Sequence, residues 1–541
     1  MPTDTTDVAT SARVITNPVL RGFYPDPSVL RVGDDYYLAT STFEWYPGVT
    51  LHHSRDLVHW RPLDGILTER RLLDLTGAGD SCGVWAPDLT YAHGLFHLVY
   101  SDVASFASGY WDPQNYLITA PSIDGPWSDP VPLHAHGFDA SLFHDDDGST
   151  WLLAMTADWR PGRDRFGGIE IQRYDRDARR LVGDPVTIFT GTPTGLTEGP
   201  HIYRHDGWYY LVTAEGGTSW EHQVTVARSR ALLGPYEADP AGPMLTSVGR
   251  PELALQKAGH GSLVQTQRGE WYLAHLVGRP YTPLGRCVLG RETAIQRVDW
   301  SADGWPRVAG QVPAEQVPAP DLPAHPWPAE PSTDHFDAAT LGPRWSTLRR
   351  PAGPDWTDLT SRPSHLRIVG GQSPVGRQRP SLVARRVTAP NCVFETLVEF
   401  RAATPRQLAG VTGYYNTENW HYAYLTRTDD GRQELQLLSC DSGRRQSHPQ
   451  VSVDVTDVAR LGLRVVFDGP VLRFGYHRGD HWRELPVELD ATILSDEYAA
   501  RMTDGEPEAW GFTGAFVGLW VQDIGNDGGY ADFDHATYRE L

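Results

Sequence analysis

Four carboxylates recur at one place in a repeated pattern. Asp26 in FYPDPSV, Asp88 in WAPDLTY, Asp139 in FDASLF and Glu198 in TEGPHIY each open a unit, and His260 in GHGSLV opens a fifth. Successive openings are 62, 51, 59 and 62 residues apart. Carboxyl groups brought to one point can divide acid–base work. One, protonated, gives its proton to a leaving oxygen; another, ionised, activates water or attacks directly. Their environments must hold the two pKa values apart. Cleavage of a glycosidic bond is the reaction these parts fit. Taken singly, each acid reads as an ordinary turn cap; the shared register favours convergence instead. Asp26 lies between Pro25 and Pro27, whose fixed φ angles hold it. Gly199 after Glu198 permits close approach by another group. Asp139 lies between an aromatic and small residues. Four acids exceed what the chemistry needs, and Asp88 is read as structural.

The elements that position these acids repeat with them. Each opening leads to a polar turn, such as GDD (33–35), HDG (205–207) or QRGE (267–270), and then to an aromatic-led strand such as YYLATST, FHLVYS or WYLAHLVG. Each unit closes on a second apolar strand, a turn and an aromatic, as in HHSRDLVHWRPL (52–63). That is enough for about four strands per unit. A period of this size predicts a five-bladed β-propeller over 15–310, in which equivalent positions of all blades face one axis. Eight prolines fall in the 26 residues 306–331, so 311–331 reads as a semi-rigid linker. Alternating segments such as CVFETLVEF (392–400) and VLRFGYH (471–477) follow, with a helical period only near 494–502. They predict a β-sandwich over 332–541, and an all-β chain.

Composition narrows the partners. At 541 residues, with 47 Lys and Arg against 68 Asp and Glu, the chain carries a net charge of −21. Nucleic acid and anionic membrane surfaces are poor partners for that charge. The 19 Trp, 23 Tyr and 16 Phe suit both sugar stacking and β-cores. The cysteines, Cys82, Cys287, Cys392 and Cys440, have neither zinc-site nor disulfide-framework spacing. The first residues lack a basic start and an apolar run, and no stretch is apolar enough to span a membrane. A cytoplasmic location is the expectation.

The segments NPVLRGFYPDPSV, YYLATSTFEWYPGV, WAPDLTY, GFDASLFHDDDG, TEGPH, GHGSLV, LGRETAIQ and FTGAFVG together resemble the two-domain β-xylosidases of glycoside hydrolase family 43, across nearly the whole chain. The resemblance implies an exo-acting, inverting hydrolase that releases xylose from the non-reducing end of β-1,4-xylo-oligosaccharides. It implies Asp26 as general base, Glu198 as general acid and Asp139 as the carboxylate that orients and tunes the acid. Arg291 becomes the cation contacting substrate hydroxyls, and Phe43, Trp85 and Phe138 the pocket walls. Phe516 becomes the residue lent to the pocket by the second domain. His260 carries three readings: a structural histidine, a neighbour of a Ca²⁺ in the central channel, or a substrate contact. No cofactor is required. The expected partner is a xylo-oligosaccharide, and association into a homo-oligomer is left open. Only Tyr281 to Val288 separate GRP (278–280) from LGRETA (289–294), so leaving-group preference is also open, and Leu196 stands before TEGP where a Tyr can occur.

Rival readings fare worse. Propellers that cleave sucrose or fructans carry NDPNG-like and RDP strings, absent here. HDDDGSTW (144–151) half resembles a sialidase repeat but occurs once. A carbohydrate-binding propeller without catalysis would not need both Asp26 and Glu198. An α-L-arabinofuranosidase, alone or as a second activity, is the nearest alternative, because the two sugars present similar hydroxyls.

Overall fold

The computed structural model describes residues 13–106, 110–479, 481–503 and 506–541. Alternating strands separated by tight turns fold into five antiparallel sheets around an axis. The first blade holds Ser28–Val32, Asp35–Thr40, Thr50–Ser54 and Arg61–Leu63. The fifth holds Gln256–Gln265, Trp271–Gly278, Arg291–Trp300 and Pro306–Val308. The inner strand of each blade contacts that of the next, and Gln256–Gln265 returns to Ser28–Val32, so the ring is closed. Those inner strands begin at or just after Asp26, Asp88, Asp139 and Glu198, whereas His260 lies within its strand.

The ring is fastened outside the blades. Val14–Thr16 pairs with Gln316–Pro318. Asn17 donates to the carbonyls of Ile295 and Ala314 (both 2.8 Å) and accepts from the Ile295 N–H. The proline-rich stretch lies along the propeller as a strap. His325 N donates to Asp56, and Trp327 donates to the His59 carbonyl (3.2 Å) under the Arg61 guanidinium. Without N–H groups to pair, proline is suited to covering an edge in this way.

The second domain is a sandwich of two eight-stranded sheets. Its helical content is slight: the period near 494–502 forms one turn, Asp496–Ala499, after a 3₁₀ turn, Ala491–Ile493. One sheet includes a strand from the propeller. Trp45–Tyr46 pairs with Ser346–Leu348 as its edge, so backbone hydrogen bonding crosses the domain boundary. Val288 and Leu289 of the propeller join the sandwich core. Beside them, a Cβ on Gly290 would lie 2.1 Å from Thr513 O, and one on Gly514 2.8 Å from Leu289 O. This backbone approach requires both glycines.

Candidate active site

The blade openings converge as the register predicts. Asp26, Asp139, Glu198 and His260 line one pocket with Phe43, Trp85, Ala86, Phe138, Thr218, Arg291 and Phe512. The empty space between its walls, open mouth included, is about 360 Å³. One sugar ring suits that space better than a chain.

The local backbone turns these side chains inward. Asp26, Asp139 and His260 have φ of 54°, 53° and 42°, and Gly199 beside Glu198 has 57°. Left-handed conformations in non-glycine residues cost ~1–2 kcal/mol each and cluster where function demands them. Asp88 shares the register but not this conformation. Its carboxylate accepts from Ser28 Oγ (3.1 Å) and Leu142 N (2.8 Å), joining three blades, and it does not line the pocket.

The three pocket acids sit in different surroundings. Asp26 accepts from Ser41 Oγ (2.6 Å) and from Arg291 Nη1 (3.3 Å). Burial is the largest influence on Asp26 and pushes its pKa up, but Arg291, the neighbouring histidines and Ser41 together hold it below the usual carboxylate value. Glu198 keeps part of its surface open to the pocket. Burial first and the Asp26 charge second push it to about 8, against Arg291. Asp139 accepts from Gly199 N (3.2 Å), and burial, then Glu198 and Asp26, raise it well above an ordinary aspartate. At neutral pH the site therefore holds an ionised Asp26 opposite a pair that retains a proton. That is the division of labour general acid–base hydrolysis needs.

Arg291 organises one wall. Besides Asp26 it donates to Thr218 Oγ1 (2.7 Å) and to the Phe512 carbonyl (3.0 Å). Its guanidinium lies 5.4 Å and 5.2 Å from the rings of Phe43 and Phe512. Trp85 meets Phe138 edge to face at 5.0 Å and Phe512 at 5.6 Å. The result is an aromatic cup with charge at its floor.

His260 packs on Gly199, where a Cβ would stand 3.0–3.2 Å from the ring. Its Nδ1 is 3.9 Å from Asp26 and 4.0 Å from Asp139. Burial lowers its pKa to about 4, so the ring is neutral in ordinary buffers. Among the described residues no three His, Cys, Asp or Glu side chains are grouped to hold a metal ion. One neutral imidazole does not fit a divalent cation held by side chains alone.

Phe516 does not line the pocket. Its ring is fully buried, stacked on Trp45 with centroids 3.9 Å apart and planes at 15°, and 5.9 Å from Phe23. It begins Phe516–Asp523, a strand buried at every position between two neighbours of the sandwich sheet. The chain reaches the pocket in the preceding turn, where it crosses Leu289 and Gly290. Phe512 is therefore the residue the second domain lends. Phe512 N donates to Ser81 Oγ (3.2 Å), and its ring stacks on Trp510 at 11°. Thr218, after the Gly216–Gly217 pair, also escapes a reading based on blade openings. Its only sequence signal is that glycine pair, which follows Trp208–Glu215, the second strand of its blade.

Residues 15–306 match glycosyl hydrolases family 43, and residues 333–539 match the β-xylosidase C-terminal concanavalin A-like domain. A "Xylan 1,3-beta-xylosidase" of Vibrio sp is 44% identical over 97% of this chain and 99% of its own length. "Xylosidase/arabinosidase 43B" of Humicola insolens is 43% identical over 97% of this chain and 98% of its own length. The solved structure of a xylan β-1,4-xylosidase from Bacillus halodurans C-125 superposes with a TM-score of 0.93 at 46% identity, covering 97% of this chain and 100% of that one. With more than half of its length matched by the family and both domains shared end to end with such relatives, this chain belongs to glycoside hydrolase family 43.

Proposed function

We propose that the protein is an exo-acting β-xylosidase that removes xylose from the non-reducing end of β-1,4-xylo-oligosaccharides with inversion. The observation that carries this reading is a pocket in which Asp26 and Glu198 face the same space from surroundings that push their pKa values in opposite directions. Phe512 closes one side, so a long chain cannot run through. Glu198 gives its proton to the glycosidic oxygen as the bond from C1 to that oxygen breaks. Asp26 takes a proton from the water whose oxygen forms the new bond to C1 on the opposite face. Arg291 helps hold Asp26 ionised, while burial and the Asp26 charge keep the proton on Glu198. Proton exchange with solvent restores both acids.

Release of nitrophenol from nitrophenyl β-xyloside should exceed that from nitrophenyl α-arabinofuranoside, and 1,4-xylobiose should be cut faster than 1,3-xylobiose. Proton NMR of the earliest product should show α-xylose. Early β-xylose would overturn the inverting mechanism. Faster arabinofuranoside cleavage would reassign the sugar, and faster 1,3-xylobiose cleavage the linkage.

A further inference from the structure

Arg291 has one edge turned away from the substrate space. Nη1 and Nη2 are occupied by Asp26, Thr218 and the Phe512 carbonyl. Nε is buried and has no hydrogen-bond partner among the described residues. Facing it at 3.9 Å is Asp496 Oδ2, which is likewise buried and without a hydrogen bond. Asp496 opens the α-helical turn Asp496–Ala499 of the sandwich, and its side chain is 7% exposed. Its other oxygen accepts from Tyr415 Oη at 2.7 Å. Two unpaired buried atoms of opposite charge cost more apart than together. Their placement across the domain boundary is therefore informative.

Two cations act on Asp496: Lys257, the stronger influence, and Arg291, which is in ion-pair contact with it. The nearby Lys257 ammonium is taken by Glu497, whose other oxygen accepts from Cys287 N (2.8 Å). The loop bearing Phe512 rests on the same group, since a Cβ on Gly511 would lie 2.5 Å from Asp496 Cα and 2.4 Å from Tyr415 Oη. One acid thus touches the guanidinium and the turn that supplies the pocket's second-domain wall.

We propose that Asp496 is a positioning residue: its ionised carboxylate holds the Nε edge of Arg291 so that Nη1 stays on Asp26, and the β-sandwich thereby sets the charge state of the water-activating acid. This rests on the roles proposed above for Asp26 and Arg291. The charged and titratable groups facing Asp496 are Arg291 and Lys257 from the propeller, with Cys287 behind them, Glu497 from its own turn and Tyr415 from the sandwich. Burial is the largest influence on Asp496 and, with Glu497, outweighs the two cations, pushing it to about 7. Its hold on Arg291 should therefore be present above that pH and fade below it.

Asp496→Asn keeps the shape and the acceptor for Tyr415 but removes the charge. At about pH 8.5 its kcat/KM on nitrophenyl β-xyloside should fall roughly tenfold to a hundredfold, the scale on which misplacing a positioning group tells. The gap from the unmodified enzyme should narrow as pH falls through about 7, because the native carboxyl loses its own charge. Tyr415→Phe removes a hydrogen bond that favours the charged carboxylate, so it should keep the pH-dependent limb and move it to higher pH. Crystal structures of Asp496→Asn should show Arg291 Nη1 withdrawn from Asp26. If the variant does not fold, the unmodified enzyme crystallised on either side of pH 7 gives the same comparison, with withdrawal expected on the acid side. A loss equal at every pH, no loss, or an unmoved Arg291 overturns the inference. Whether the unmodified enzyme cleaves the xyloside tests the proposed function separately, and the position of Arg291 can be read whichever sugar is cleaved.

Discussion

Asp26 and Glu198 differ by one methylene, and their surroundings separate them. Asp26 gains a guanidinium and a hydroxyl; Glu198 gains burial and a neighbouring anion. Activity should therefore fall as pH rises through about 8, where Glu198 loses the proton it must donate. On the acid side it should decline first as pH falls through about 7, where Asp496 gains a proton, and be lost below the ordinary aspartate range, where Asp26 gains one. Glu198→Ala should slow xylobiose hydrolysis by roughly 10²–10⁴, the worth of general acid catalysis. It should cost far less on a nitrophenyl xyloside, whose leaving group needs little protonation. Asp26→Ala should abolish turnover of both, since neither substrate supplies a base. Equal losses on both substrates in both variants would show the roles to be misassigned. These acids were legible in the sequence because the repeat places them. The left-handed backbone that separates Asp26 and Asp139 from Asp88 was not, because the same Asp-led pattern is compatible with either conformation.

At the scale of elements, two phenylalanines four residues apart divide the work of the sandwich. Phe512 sits in a turn held by Ser81 and Arg291 and meets the pocket; Phe516 begins a buried strand and stacks on Trp45. Phe512→Ala should lower kcat/KM by about tenfold or more, the loss expected when a group that orients substrate goes, with an unchanged melting temperature. Phe516→Ala should do the reverse, costing about 3–5 kcal/mol of stability while folded molecules keep near-native kcat. Calorimetry beside steady-state kinetics separates the two outcomes. Period and alternation made the strands legible, and with them the propeller and the sandwich. Phe512 was illegible because a turn residue has no periodic partner. Asp496 was illegible because an Asp–Glu pair at the start of a helical turn looks like a solvated one. Trp45–Tyr46 was illegible as a sandwich edge because its pairing partner lies some 300 residues away along the chain.

At the scale of the whole molecule, the propeller is incomplete without the sandwich. Trp45, Phe23, Val288 and Leu289 are all but fully buried, and each meets apolar residues of the second domain. Exposing four such side chains costs ~1.5–3 kcal/mol each, or roughly 6–12 kcal/mol together, comparable to the ~5–15 kcal/mol by which whole domains are stable. Polar ties would be lost as well. Arg349 donates to the Ala78 carbonyl (2.6 Å) and to Asp80 (2.7 Å), and Arg386 donates to the Phe23 carbonyl (2.7 Å). Removing these cations hands Asp80 and two carbonyls to water, so each tie's net contribution, ~1–3 kcal/mol, is lost. A chain ending near Pro331 should therefore aggregate or melt well below the full protein in a thermal scan. Any soluble fraction should be nearly inactive, because Phe512 and Asp496 are both gone. If the truncated chain instead folds cooperatively and keeps full kcat/KM on nitrophenyl β-xyloside, the sandwich is an accessory to a self-sufficient propeller, and the shared sheet edge at Trp45–Tyr46 contributes nothing to the pocket.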